Sequence, residues 1–206
     1  MILKEVPTMV ESRALKMRGK KIGLAVLEKD DLPLFKKWLN DPRLSIFMRE
    51  FDDMLADENV LEWYDQSVHD PNQVDFSIVN MKTGQLAGAC TLTNIDGRNA
   101  IAEARLFIGE TQFWNKGYGS EALILLLDYA FNVLNLHNVR LKVNSINKKA
   151  IHVYEKLGFK LVGKLRESRT YLRKRYNLYI MDMLAREFDE RHESWIAEII
   201  GKTSSS

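Results

Sequence analysis

Two glycines one residue apart stand inside the run Phe113-Trp-Asn-Lys-Gly-Tyr-Gly-Ser-Glu-Ala122. Where such a run joins a strand to a helix, backbone N–H groups can come close to an anion. The helix N-terminus adds unpaired donors and a partial positive charge. This is chemistry for holding a phosphate or pyrophosphate, although glycine also serves such turns for steric reasons alone. A second run, Asn147-Lys-Lys-Ala-Ile-His-Val-Tyr-Glu-Lys-Leu-Gly-Phe159, places an amide to cap a helix. Almost two turns on, Tyr154 falls on roughly the same side. With a pKa of about 10 its phenol is protonated near neutrality and can donate to a developing anion, or it can simply be a half-buried helix tyrosine. Glu103 completes the set. It alternates with Arg105 and Phe107 on one strand face, where a carboxylate can take a proton or pair with Arg105 or a neighbouring strand's cation.

The elements that must position these groups follow from period and punctuation. Residues 1–19 show no clear period and suit a strand or a lid. Lys21 to Leu27 reads as a first strand, and Asp30 or Asp31 can cap a helix with Pro33 in its first turn. Asn40-Asp-Pro42 ends that helix, and a second covers Ala56 to Val68. Asp75 to Met81, Leu86 to Ile95 and Ala100 to Ile108 then read as an antiparallel meander, separated by short glycine-containing turns. The glycine run opens a helix whose apolar residues, from Ala122 to Leu134, recur at three- and four-residue spacing. Val139 to Val143 follows as a strand, which implies a right-handed parallel crossover. Lys148 to Leu157 is a helix ended by Gly158. Phe159 to Leu165 and Arg175 to Leu184 are the last strands, joined through the basic segment 166–174, and Glu187 to Ile200 is an appended helix. The order describes a mixed α/β fold whose mostly antiparallel sheet has one parallel junction beside the glycine loop.

Taken together, the two motifs resemble the GNAT superfamily of acyl-CoA-dependent N-acetyltransferases, on the side of its ribosomal-protein alanine and spermidine N-acetyltransferase branch. The resemblance covers about Lys21 to Leu184, including residues 27–44 and 101–109. It implies a six- to seven-stranded sheet, parallel and splayed at the junction after the glycine loop and flanked by helices. The domain would occupy residues 21–184, with an extension over 1–20 and a helix and disordered tail over 185–206. The family further implies that Phe107 and Ile108 pair their backbone with pantetheine. Asn115, Lys116, Gly117, Tyr118, Gly119 and Ser120 would cradle the pyrophosphate of acetyl-CoA, and Asn147 would contact the cofactor arm. Tyr154 would stand near the thioester sulfur as general acid. Glu103 would take the proton that an amine acceptor, arriving as an ammonium of pKa about 10, must lose before it attacks. One departure is Trp114, where the family commonly carries Gln or Arg.

The remaining features set bounds. At 206 residues with 46% hydrophobic content the chain can bury one core, and its net charge of +2 gives no argument for nucleic acid or an anionic membrane. No stretch is long and apolar enough to span a bilayer, and the N-terminus lacks the apolar core of a signal peptide. The single cysteine, Cys90, excludes an internal disulfide and suits a reducing compartment, so the expected location is the cytoplasm. His69, His137, His152 and His192 lack ligand spacing, and no metal is expected. The acidic group Asp52, Asp53, Asp57, Glu58, Glu62 and Asp65 is either a solvated helix face or a wall for a cationic acceptor, such as a polyamine or a peptide N-terminus. The basic run Arg166, Arg169, Arg173, Lys174 and Arg175 could contact RNA or the ribosome, but without aromatic interleaving it reads as a solvated hairpin. The tail helix, with Trp195 and Ile199, offers a homodimer contact or extra cover for the sheet. A G-x-G-x-x-A reading of Gly117 to Ala122 would suggest a dinucleotide, but no acidic residue follows at the end of the next strand. A non-catalytic acyl-CoA sensor on the same fold is the other alternative.

Overall fold

A computed structural model describes residues 13–48 and 54–203, without the side chains of residues 202 and 203. The expectations for residues 1–12, for Asp52 and Asp53, and for a disordered tail over 204–206 lie outside the described residues.

Eight strands form one sheet: β1 (Leu15–Arg18), β2 (Ile22–Val26), β3 (Val74–Asn80), β4 (Leu86–Asp96), β5 (Ile101–Ile108), β6 (Asn138–Asn144), β7 (Lys160–Tyr171) and β8 (Lys174–Leu184). Their spatial order is β1-β2-β3-β4-β5-β6-β8-β7. Every neighbouring pair is antiparallel except β5 and β6. The eighth strand is β1, an edge strand from the segment whose period was unreadable. It pairs with β2, which is buried over four of its five residues, so β2 lies inside the sheet rather than at its edge.

The meander is shaped by its turns. Asp96 accepts N–H bonds from Arg98 and Asn99 and so closes the β4–β5 turn. Helix α4 (Tyr118–Asn132) is apolar almost all round and packs under the sheet, with Leu123, Leu126, Leu127 and Ala130 at the centre of the main core. On the opposite face α1 (Leu32–Leu39), α2 (Pro42–Met48) and α3 (Asp57–His69) enclose a second core of Leu27, Phe35, Trp38, Val60 and Ala89. Helix α5 (Lys148–Leu157) follows β6, ended by Gly158 at φ 108°.

Three local expectations change. Pro42 does end α1, but Asp41 also accepts the N–H of Arg43, and Pro42 opens α2. The basic hairpin has longer strands than expected: β7 runs to Tyr171 instead of Leu165, and Leu172 and Arg173, both at positive φ, make a two-residue turn into β8. The tail is two helices, α6 (Ala185–Asp189) and α7 (Trp195–Thr203). The second starts where Asp128, buried on α4, accepts from the backbone N–H groups of Trp195 and Ile196 and from the Ser194 hydroxyl. α7 thus covers α4 rather than the sheet, burying part of Trp195 and Ile196 and leaving Ile200 exposed.

Candidate active site

The parallel contact between β5 and β6 lasts only three residues, Ile101 to Glu103 against Asn138 to Arg140. Beyond that point β5 continues along β4 to Ile108, while β6 continues along β8 to Asn144. The two strands therefore diverge, and the flank of β5 facing β6 is left without a strand neighbour. A cleft of about 1450 Å³ opens there and reaches α1, α2 and α3 on one side and the starts of α4 and α5 on the other.

The glycine loop closes one end. A short 3-10 turn (Thr111–Phe113) leads into Trp114 and then Asn115 at φ 59°. Gly117, at φ 83°, is left-handed and precedes the first residue of α4, a conformation that favours glycine. Among the described residues no side chain caps α4, which leaves the N–H groups of its first turn available to a ligand. Trp114 explains the departure from the polar residue expected there. Its indole N–H donates to the Ile108 carbonyl at 2.7 Å, tying the loop to the end of β5. Lys21, which no sequence motif marked, donates from Nζ to the Lys116 carbonyl at 2.9 Å and sets an ammonium beside the loop.

Asn147 caps α5 as expected, its Oδ1 accepting from the Ala150 N–H at 3.1 Å. Tyr154 follows on that helix, half-buried, its ring against Phe159. Among the described residues its hydroxyl has no hydrogen-bond partner. Burial pushes the phenol up to about 12, so it stays protonated throughout the neutral range.

Glu103 sits at the last paired residue before the strands part. Lys142 Nζ meets it at 2.6 Å and Arg105 at 3.2 Å. Burial alone would raise its carboxyl, but the hydrogen bond and charge of Lys142, with Arg105, outweigh it and hold the group below the ordinary glutamate value. Phe107, on the same face, joins the second core against Phe35 and Trp38.

Of the residues singled out in the sequence, Glu103, Phe107, Ile108, Asn115, Gly117, Tyr118, Gly119, Ser120, Asn147 and Tyr154 all line this one cleft. Lys116 does not: its carbonyl takes the Lys21 bond instead. The Tyr118 phenol is engaged with Asn80 and stacks on Phe113, leaving its backbone to the loop. Of the acidic group, Glu62 reaches the cleft and Asp57 pairs with Lys36. Of the basic run, Arg169 lines the cleft and Arg166, Arg173, Lys174 and Arg175 are exposed. Sequence reasoning missed Asp75 and Asn144, which carry no local signal because the sheet register alone brings them to the cleft.

The chain's residues fit an acyl-CoA. An uncapped helix start after a left-handed glycine suits a pyrophosphate, and the divergence of β5 and β6 leaves backbone groups free beside an elongated slot. The Asn144 amide on the splayed part of β6 is buried with its Nδ2 unpartnered, a donor that an amide-bearing ligand would satisfy. Residues 21–160 match the model of the acetyltransferase (GNAT) domain family. The chain belongs to the GNAT family. It is an N-acetyltransferase, and its acyl donor is acetyl-CoA.

Among GNAT relatives, the chain is 32% identical to the spermidine N(1)-acetyltransferase of Escherichia coli K12 over 144 residues, 70% of this chain and 75% of that one. It is 27% identical over 170 residues to an uncharacterized N-acetyltransferase, p20, of Bacillus licheniformis, 82% of this chain and 95% of that protein. The crystal structure of the Vibrio cholerae spermidine N-acetyltransferase in complex with CoA and spermine superposes with a TM-score of 0.76 at 26% identity. The match covers 82% of this chain and 99% of that one. Among the described residues of this GNAT protein no helix is long and apolar enough to cross a membrane, and no group of three or more metal-ligating side chains occurs.

Proposed function

We propose that the protein moves the acetyl group of acetyl-CoA to a primary amine by direct attack within a ternary complex. The observation that carries this reading is the single continuous cleft, which joins the glycine loop, Tyr154 and Glu103 to an acceptor wall built by α1–α3. Bound acetyl-CoA supplies an activated acyl thioester. The start of α4 and Lys21 bind its phosphates, Asn147 and the free flank of β5 orient its arm, and Tyr154 holds a proton for the departing sulfur. Glu103, always ionised at neutral pH, receives the proton of the amine directly or through a water. The positive charge of Arg105 and Lys142 beside it makes an ammonium at that point easier to deprotonate. A polyamine acceptor is supported by the relatives named for spermidine, and a peptide N-terminus shares the same amine chemistry.

The reading is tested by thiol release from acetyl-CoA across polyamines, amino acids, aminoglycosides and short peptides, with both substrates varied. Turnover with intersecting initial-rate lines is the expected result; parallel lines would indicate an acetylated enzyme and overturn direct attack. Glu103→Gln should lower kcat by about 100-fold. Because the wild-type carboxyl is held low, its acid limb should fall below the ordinary glutamate range: activity persists above that pKa and is lost as pH drops through it. Full kcat in Glu103→Gln removes it from the mechanism.

A further inference from the structure

The cleft holds carboxylates in two electrical states. Glu103 lies between two cations. Asp75, on β3, is met by neutral donors only. Thr91 donates its hydroxyl to one oxygen at 2.6 Å, Gln73 its amide to the other at 2.8 Å, and the Ser67 hydroxyl donates to that second oxygen as well. Among the described residues no lysine, arginine or histidine pairs with it. Such donors aim a carboxylate without cancelling its charge. That charge is felt nearby: burial raises the Cys90 thiol, and Asp75 raises it further.

Sheet register gives the spacing. Asp75 stands opposite Thr91 on β4, and Thr91 stands opposite Arg105 on β5. Two strand spacings put Asp75 about 10 Å across the sheet from the strand that borders the splay. A nitrogen reacting at the splay cannot also touch Asp75, but a second nitrogen on a chain of several methylenes can. The charges sort the two ends. Glu103, Arg105 and Lys142 together carry one net positive charge, which disfavours an ammonium at the splay. The Asp75 end favours one, and Glu62 of α3, which accepts from Gln66 and pairs with no cation among the described residues, borders the same cleft with a second carboxylate.

We infer that Asp75 is the anchor for the non-reacting ammonium of a linear di- or polyamine acceptor. It holds one end by charge while the other nitrogen, kept neutral, reaches the splay. The inference rests on the amine-acetylating reading above and narrows its acceptor class.

The test compares spermidine with butylamine, which offers one nitrogen and no second charge. In Asp75→Asn the ratio of the spermidine KM to the butylamine KM should rise about 10-fold, and Asp75→Glu, which keeps the charge, should restore most of it. An unchanged ratio overturns the anchor, and so does a parallel rise of both KM values, which is what lost support for Ser67 and Thr91 alone would produce. Calorimetry of spermidine without acetyl-CoA reads the same point apart from turnover. An affinity lost in Asp75→Asn supports the anchor even if no amine is acetylated, which would instead sink the acceptor reading; equal affinities overturn it. Should Asp75→Asn fail to fold, the wild type decides. Its kcat/KM for 1,4-diaminobutane should exceed that for butylamine by about 10-fold at low salt, with the gap narrowing as salt is added. Equal values overturn the proposal.

Discussion

The two halves of the cleft are held by different means. The donor half runs from β5 through the glycine loop and α4 to β6 and α5, and it presents mainly backbone: a left-handed glycine, an uncapped helix start and two diverging strands. The acceptor half is assembled by side chains from distant parts of the chain. Arg13 reaches the buried Asp31 at 2.5 Å and fixes the start of α1. Trp38 donates to Glu110 at 2.9 Å across the end of β5, where its indole packs so tightly on Gly109 that no Cβ would fit. The Asn40 amide exchanges hydrogen bonds with both backbone groups of Leu55 and so holds the approach to α3. Backbone chemistry needs only local sequence to specify it, whereas clamps across the fold depend on which residues happen to meet. A donor site of this kind can stay constant while the acceptor wall is rebuilt around it.

The sharpest way to break the contrast is through Tyr154, the side chain of the donor half proposed to hold the proton for the departing sulfur. Tyr154→Phe should lower kcat by about 10²- to 10³-fold while leaving the denaturant midpoint almost unmoved, because among the described residues the hydroxyl has no partner to lose. Since a general acid acts only while protonated, wild-type activity should not be lost through Tyr154 until the pH approaches its raised pKa of about 12. A pH–rate profile showing a Tyr154-dependent alkaline limb near the ordinary tyrosine value would contradict both its burial and its role.

The acceptor half should fail in the opposite manner. Arg13→Ala strands the Asp31 carboxylate, which is 2% exposed, and should cost about 3 kcal/mol in chemical denaturation. The KM for acetyl-CoA should change far less than the KM for the amine, since α1 and not the glycine loop loses its support. Equal damage to both would show the halves to be mechanically one. The smallest effect is expected at Trp114. Trp114→Phe keeps the ring and removes the bond to the Ile108 carbonyl, costing about 1 kcal/mol of stability and a few-fold in the KM for acetyl-CoA, read from the same assays.

Much of the donor half was legible before the fold was known. Gly117 and Gly119 between a strand and an apolar helix, Asn147 three residues before the N–H it caps, and Gly158 after Leu157 are local signals, and the structure keeps each of them. The acceptor half was legible only as composition. Its acidic residues were visible as a group, yet Glu62, which among the described members lines the cleft, is no different in sequence from Asp57, which turns away to Lys36. Asp75 drew no notice because an aspartate at a strand start reads as a solvated end.

The meander, the helix capped by Asn147 and the glycine turn before α4 followed from the sequence alone, since each depends on residues within a few positions of one another. Tertiary structure decided three further matters. It showed that β5 and β6 part after Glu103, because each strand continues with a different neighbour. It showed that Arg169 of the basic hairpin lines the cleft, and that the segment before β2, without a clear period, supplies an edge strand. Above all it decided which carboxylates stand beside a cation. Glu103 is paired with a lysine 39 positions away on the adjoining strand, while among the described residues Asp75 meets only hydroxyls and an amide. No local pattern holds that information, because pairing across a sheet is set by register and not by proximity along the chain.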